Sequence, residues 1–155
     1  MREGADGDVP IEQRRIHLMP GVEEALNGLA HPLALWTNTG GARQNEVRAW
    51  LNRTGFGHRF DWVVTSPDAG YRKPAPEFFA YAVSQCGIAK EQILFVCNQL
   101  NTDVAGAEAF GIRTVWLSDD AYRSADDAPC EARPSYTIPT LSDLPDLVRR
   151  VRRDA

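Results

Sequence analysis

The sequence predicts an α/β fold: a parallel sheet with helices on both faces. Three observations carry that expectation. Short apolar runs alternate along the chain with segments of helical period, the pattern of repeated strand–helix–strand units. The runs carry no helical stripe and are bounded by Gly, Pro or polar residues, as strands buried on both faces are. The length of 155 residues suffices for one core and not comfortably for two.

The elements follow in order. Met1 to Arg15 is polar, contains glycine and has no period. Pro20 suits the first position of a helix whose apolar face is Val22, Ala25, Leu26 and Leu29. Pro32 to Trp36 is the first strand, and it runs into the polar turn Thr37-Asn38-Thr39-Gly40-Gly41. The next helix spans about Ala42 to Arg53, with Val47, Trp50, Leu51 and Thr54 as its stripe, and Gly55 and Gly57 end it. Phe60 to Thr65 is a second strand. Pro74 and Pro76 then set up a helix with Phe78, Phe79, Ala82, Val83 and Cys86 on its apolar side, closed by Gly87. Ile93 to Val96 is a third strand. Thr102 is placed to cap a helix running from Asp103 through Val104, Ala107 and Phe110 to Gly111. Ile112 to Leu117 is a fourth strand. The loop Ser118 to Pro134 precedes a short edge strand at Ser135 to Ile138. A final helix carries Leu141, Leu144, Leu147, Val148 and Val151.

Composition narrows the function. A net charge of -4 argues against a general nucleic-acid binder. The crowded Arg149, Arg150, Arg152 and Arg153 suit the negative end of the last helix dipole. Cys86, Cys97 and Cys130 are odd in number and widely spaced, which points to a reducing compartment with Cys86 and Cys97 in the core. No run has the length of a membrane span, and a cytoplasmic location is expected.

Three strand ends carry polar groups. The first offers Thr37 and Asn38, the second leads to Lys73, and the third offers Asn98 with Asp103 just beyond. In open α/β sheets ligands bind at that edge. Thr37 and nearby N–H groups can donate to phosphate oxygens. Lys73 can neutralise a phosphoryl group, and Asp103 can hold a hard cation such as magnesium. Each residue also has a plainer role open to it. Thr37 can cap a helix, Lys73 can be a turn residue, and Asp103 can be a first-turn carboxylate favoured by the dipole.

In order and spacing these motifs resemble the haloacid dehalogenase (HAD) superfamily, in its phosphatase-like branch with a cap inserted early. LALWTN is similar to the second motif and puts its hydroxyl at Thr37. YRKPAPEFF is similar to the third and puts the lysine at Lys73. FVCNQLNTDVAGAEAFGIRTVWL resembles the fourth, with Asn98 and Asp103 at its two acidic positions. LMPGVEEAL is similar to the point of re-entry after the cap.

The resemblance implies a three-layer Rossmann-like core over residues 19–155, with residues 1–18 as a leader or cap remnant. It implies a magnesium-dependent phosphohydrolase acting on a small phosphorylated molecule through an aspartyl-phosphate. Thr37 and Lys73 would be catalytic, Thr37, Asn38 and Lys73 would bind substrate, and Asp103 and Asn98 would hold magnesium. The pattern departs from the family in two places. The first motif, an apolar strand followed by D-x-D-G-T, is missing, and Asp6 and Asp8 in ADGDV match only its internal spacing. Asn98 stands where the family has a carboxylate, which weakens a metal site. The expectation is therefore a phosphatase-type chain that is inactive or weakly active by itself, with its first central strand and cap missing or truncated. A completing chain or a homo-oligomer would restore it. A non-catalytic anion-binding or regulatory domain is the alternative. Without the central strand, the strands ending at Trp36 and Val96 either pair directly or leave an open slot.

Overall fold

The computed structural model describes residues 13–30, 32–119 and 131–153. Asp6, Asp8, Cys130 and most of the loop Ser118 to Pro134 lie outside the described residues.

Strand and helix alternate as the pattern predicts. Helix α1 is Val22–Gly28, strand β1 is Ala34–Thr37 and α2 is Gln44–Arg53. Strand β2 is Trp62–Thr65, α3 is the single turn Ser66–Ala69, α4 is Pro76–Cys86 and β3 is Leu94–Cys97. The chain continues through α5 at Ala105–Phe110, β4 at Arg113–Leu117, β5 at Tyr136–Ile138 and α6 at Leu144–Arg153.

All the strand pairs are parallel. β1 pairs with β2, Ala34 opposite Trp62 through Thr37 opposite Thr65. β3 pairs with β4 and β4 with β5, so β5 is the edge strand that its short, polar flanks predict. Among the described residues no backbone ladder joins β1 to β3, and the strands form one two-stranded and one three-stranded sheet. Of the two arrangements open to the sequence, direct pairing of these strands is not the one found among the described residues.

Helices cover both faces. On one, α4 and α5 bring Phe78, Phe79, Ala82, Cys86 and Ala107 against Trp36, Val64 and Ile112. On the other, α2 sets Val47 and Leu51 against Val63. There α6 sets Leu144 and Leu147 against Val115, Leu117 and Ile138. Period decides these faces. Phe95 of β3 packs with the α4 cluster, while Leu94 and Val96 face α6, as alternate residues of a strand must.

Two local expectations are corrected. Ser66–Ala69 forms a helical turn where the sequence offered no element between Thr65 and Pro74. The Thr65 hydroxyl caps it by accepting the Asp68 N–H, and Pro67 and Gly70 sit at its two ends. Thr102 does not cap the helix before Phe110. Leu100–Val104 is a wide π-type turn, in which the N–H groups of Asp103 and Val104 both donate to the Gln99 carbonyl at 3.1 Å. The Thr102 hydroxyl donates to Gln99 Oε1 at 2.8 Å instead.

Candidate active site

Lys73 is the centre of the site, and its burial needs an explanation, since a lysine is rarely buried without a partner. Its side chain is 8% exposed and its Nζ lies 3.0 Å from Asp103 Oδ1, itself on a side chain only 10% exposed. Nζ also donates to the Trp36 carbonyl at 3.2 Å. The rings of Phe95 and Phe78 lie beneath it, with centroids at 5.3 and 6.0 Å, and add a cation–π attraction. The charge is thus matched by one carboxylate, one carbonyl and two ring faces.

The local sequence holds Lys73 there. The Ala75 N–H closes a turn on the Arg72 carbonyl at 2.9 Å, and Pro76 starts α4. The peptide between Lys73 and Pro74 is cis. Asn38 clamps the backbone from the end of β1. Its Oδ1 accepts the Lys73 N–H at 2.9 Å and its Nδ2 donates to the Lys73 carbonyl at 3.1 Å. Asn38 lines the pocket, but its amide is committed to this clamp.

Asp103 arrives from the other side. The wide turn after β3 turns its carboxylate toward Lys73, and α5 then packs closely on the same loop. A Cβ on Gly106 would stand 2.7 Å from Phe79 Cε2 and 2.9 Å from Pro74 Cα. The glycine in the DVAGA motif therefore lets a helix sit directly on the turn that carries the lysine.

These groups enclose a polar pocket of about 460 Å³ lined by Thr37, Asn38, Arg72, Lys73, Asn98, Gln99, Thr102 and Asp103. It sits at the carboxyl ends of β1 and β3, where a ligand of a parallel sheet is expected. Every sequence-predicted site residue lines it. Arg72, Gln99 and Thr102 were not among the predicted site residues, although Arg72 stands beside Lys73 as a second cation before a proline. A cavity of about 440 Å³ elsewhere is mostly apolar and holds none of these residues. Near the polar pocket, burial pushes the Cys97 thiol well above its ordinary pKa, and the Asp103 charge adds to that shift against the opposing pull of Lys73. Cys97 is a core residue, not a nucleophile.

Magnesium accepts one or two carboxylates together with water and substrate oxygens. Asp103 and the amide oxygen of Asn98 meet the lower end of that requirement. Among the described residues no group of three His, Cys, Asp or Glu could hold a metal ion. The donor set fits magnesium only as a site with one carboxylate, one neutral oxygen and a phosphate to complete it.

A family model described as HAD-hydrolase-like matches residues 70–144, which contain the Lys73 turn, the Asp103 turn and β3 to β5. The chain belongs to the haloacid dehalogenase superfamily. The glyceraldehyde 3-phosphate phosphatase of Methanocaldococcus jannaschii is 31% identical over 110 residues, covering 70% of this chain and 47% of that protein. The ribulose-1,5-bisphosphate 5-phosphatase of Halopiger xanaduensis is 33% identical over 138 residues, 84% of this chain and 56% of that protein. A solved structure of a Listeria monocytogenes protein shares the fold with a TM-score of 0.75 at 23% identity, covering 88% of this chain and 82% of that one. The chain thus spans about half the length of the curated relatives it matches. Among the described residues no helix is long and apolar enough to cross a membrane.

Proposed function

We propose that this HAD-superfamily chain binds the phosphoryl group of a small phosphorylated molecule in the pocket between Thr37, Lys73 and Asp103. It is a phosphatase-type site whose bond-breaking power by itself is low or absent. The observation that carries this is the buried Lys73 ammonium, held at the floor of a polar pocket where two strands end. A fixed cation in a site of low dielectric stabilises phosphate oxygens far more than a solvated one does. The phosphatase names of the relatives support the same chemistry.

Each residue has a task in that scheme. Thr37 donates its hydroxyl to a phosphate oxygen. Lys73 neutralises charge on the transferring group. Asn38 positions Lys73 through its backbone. Asp103 and Asn98 would hold magnesium, which supplies charge neutralisation when bound. Cleavage by the covalent route needs a carboxylate free to attack. Among the described residues lining the pocket the only carboxylate is Asp103, which is ion-paired with Lys73.

Titration with inorganic phosphate in the presence of magnesium, followed by calorimetry, tests the binding step. Lys73→Met is expected to weaken binding at least tenfold, and Thr37→Val several-fold. Unchanged affinity in Lys73→Met would remove the pocket as the phosphate site. Turnover of an aryl phosphate tests the catalytic step, with little or none expected. Robust turnover that disappears in Asp6→Asn would instead establish a working nucleophile in the leader.

A further inference from the structure

Three charged residues line the polar pocket, and the phosphate scheme uses two of them, Lys73 and Asp103. The third is Arg72. Lys73 is matched by Asp103 at 3.0 Å. Among the described residues Arg72 has no carboxylate partner, and its Nη1 donates to the Thr39 carbonyl at 2.7 Å. A guanidinium carries five N–H donors in a planar fork. The Thr39 bond therefore pins the group in place and leaves most of the fork open. Arg72 is exposed where Lys73 is buried, so the two cations mark an outer and an inner part of the pocket.

Arg72 also lines a second cavity, of about 310 Å³, together with Thr39, Gly40, Ser66, Gly70 and Tyr71. The two cavities meet at Arg72, and Asn38 in the first is followed along the chain by Thr39 in the second. No residue of β3 lines the second cavity, which lies against α3 and the loop after β1. That loop leaves the cavity bare. Gly40 does not have a positive φ, and a Cβ there would meet no atom within 4 Å. Neither backbone conformation nor internal packing asks for glycine at this position, in contrast to Gly106. Close approach of a ligand to the backbone is the reason that is left. Together the two cavities are lined by two cations and one carboxylate, so one positive charge is unmatched.

We propose that Arg72, Gly40 and Tyr71 form a second subsite, which binds a second anionic group of the substrate, a carboxylate or a further phosphate. The proposal rests on the phosphate reading of the main pocket and names the substrate class: a small molecule with a phosphoryl group at one end and another anion at the other. The phosphoryl end goes to Lys73, because a cation in a site of low dielectric attracts it most strongly. The other end stays at Arg72, whose fork takes two oxygens of a carboxylate or phosphate at once. The cations stand on consecutive residues, whose Cα atoms are about 3.8 Å apart, so the carbon spacer is short. Tyr71 is 50% exposed and gives that spacer an apolar wall. Arg72 is then a specificity residue that acts at a distance from the bond being broken.

The test compares three phosphonates with the same two-carbon spacing, by calorimetry with the full chain and magnesium. Propylphosphonate has one anionic group, 3-phosphonopropionate adds a carboxylate, and ethane-1,2-bisphosphonate adds a second phosphonate. The parent should bind at least one of the doubly anionic ligands about tenfold more tightly than propylphosphonate. The larger preference identifies the second group. In Arg72→Gln the preference should fall to about one. In Gly40→Val, whose side chain has room to enter the second cavity, it should fall at least threefold. Each ratio is taken within one protein, so a fraction of unfolded chain lowers all affinities alike and leaves it unchanged. Equal binding of the three ligands by the parent would overturn the subsite while leaving the phosphate pocket standing. A preference that survives Arg72→Gln or Gly40→Val would overturn it too, as would an Arg72→Gln variant that loses affinity equally for all three. If the parent binds neither these ligands nor inorganic phosphate, the phosphate pocket itself is removed and the subsite with it.

Discussion

At the scale of single residues, the site depends on groups that hold other groups. Lys73 was visible in the sequence because it precedes Pro74 at the head of a helix with two phenylalanines. Asp103 was visible because it follows an apolar strand at a fixed distance. The role of Asn38 was not, because its partner lies 35 residues away and pairs through the backbone, which carries no residue signature. Removing that clamp leaves a part-buried N–H and C=O unpaired, which costs about 1–3 kcal/mol. Asn38→Ala should lower stability in urea by that amount. It should also weaken phosphate binding, since the Lys73 backbone is no longer fixed. Asn38→Asp retains the acceptor for the Lys73 N–H and should fall between parent and Ala. Unchanged stability in Asn38→Ala would show that the turn around Pro74 holds Lys73 without help.

At the scale of elements, Glu108 ties three of them together. From α5 its Oε1 accepts the Thr114 N–H at 3.1 Å and hydroxyl at 2.6 Å in β4. It also accepts the Ser135 N–H at 2.9 Å and hydroxyl at 2.6 Å at the start of β5. Burial works to raise its pKa, but the hydrogen bonds from Ser135 and Thr114 outweigh that and hold it below the usual glutamate range. A carboxylate depressed in the folded state stabilises the fold above its unfolded pKa. That stability is lost as pH falls through the folded value. Glu108→Gln should therefore cost about 1–2 kcal/mol at neutral pH, within the range for hydrogen bonds to a charged group. The difference from the parent should close only as pH falls below the usual glutamate range and through the depressed folded value, where the parent carboxylate is protonated too. A gap that persists into acid would assign the effect to packing. The strands and main helices were legible here because period and bounding glycines report burial directly. The Asp103 turn was not. A Thr followed by an acidic residue reads as a helix cap, whereas the chain widens into a π-type turn that directs Asp103 at Lys73. That pull is tertiary, and no local propensity contains it.

At the scale of the whole molecule, the two sheets share no backbone ladder among the described residues, where side chains join them. The sequence marked the strands of both sheets in its apolar runs. It could not show what would join the halves, because that is settled by rings distant in the chain. Phe79 is the common member. Its ring lies 6.4 Å from Trp36 on β1, 6.0 Å from Phe95 on β3, 6.0 Å from Phe110 on α5 and 5.7 Å from its neighbour Phe78. Trp36 and Phe95 also touch directly, at 5.4 Å. The Lys73–Asp103 pair is the other bridge, and a buried ion pair is weak support for stability because desolvation offsets its attraction. Ring packing must then carry most of the coupling between the halves. Phe79→Ala is expected to cost about 3–5 kcal/mol, a large part of the stability of a domain this size. The milder Phe79→Leu keeps the chain folded while removing the edge-to-face contacts. In the parent, tryptophan fluorescence and far-ultraviolet circular dichroism should report a single urea transition. In Phe79→Leu, made in a Trp116→Phe background, the two should separate, because the remaining Trp36, Trp50 and Trp62 report on the β1–β2 half while much of the helical signal comes from elements packed on β3 to β5. Coincident transitions in that variant would mean that the ion pair and the direct Trp36–Phe95 contact suffice to keep the halves folding as one unit.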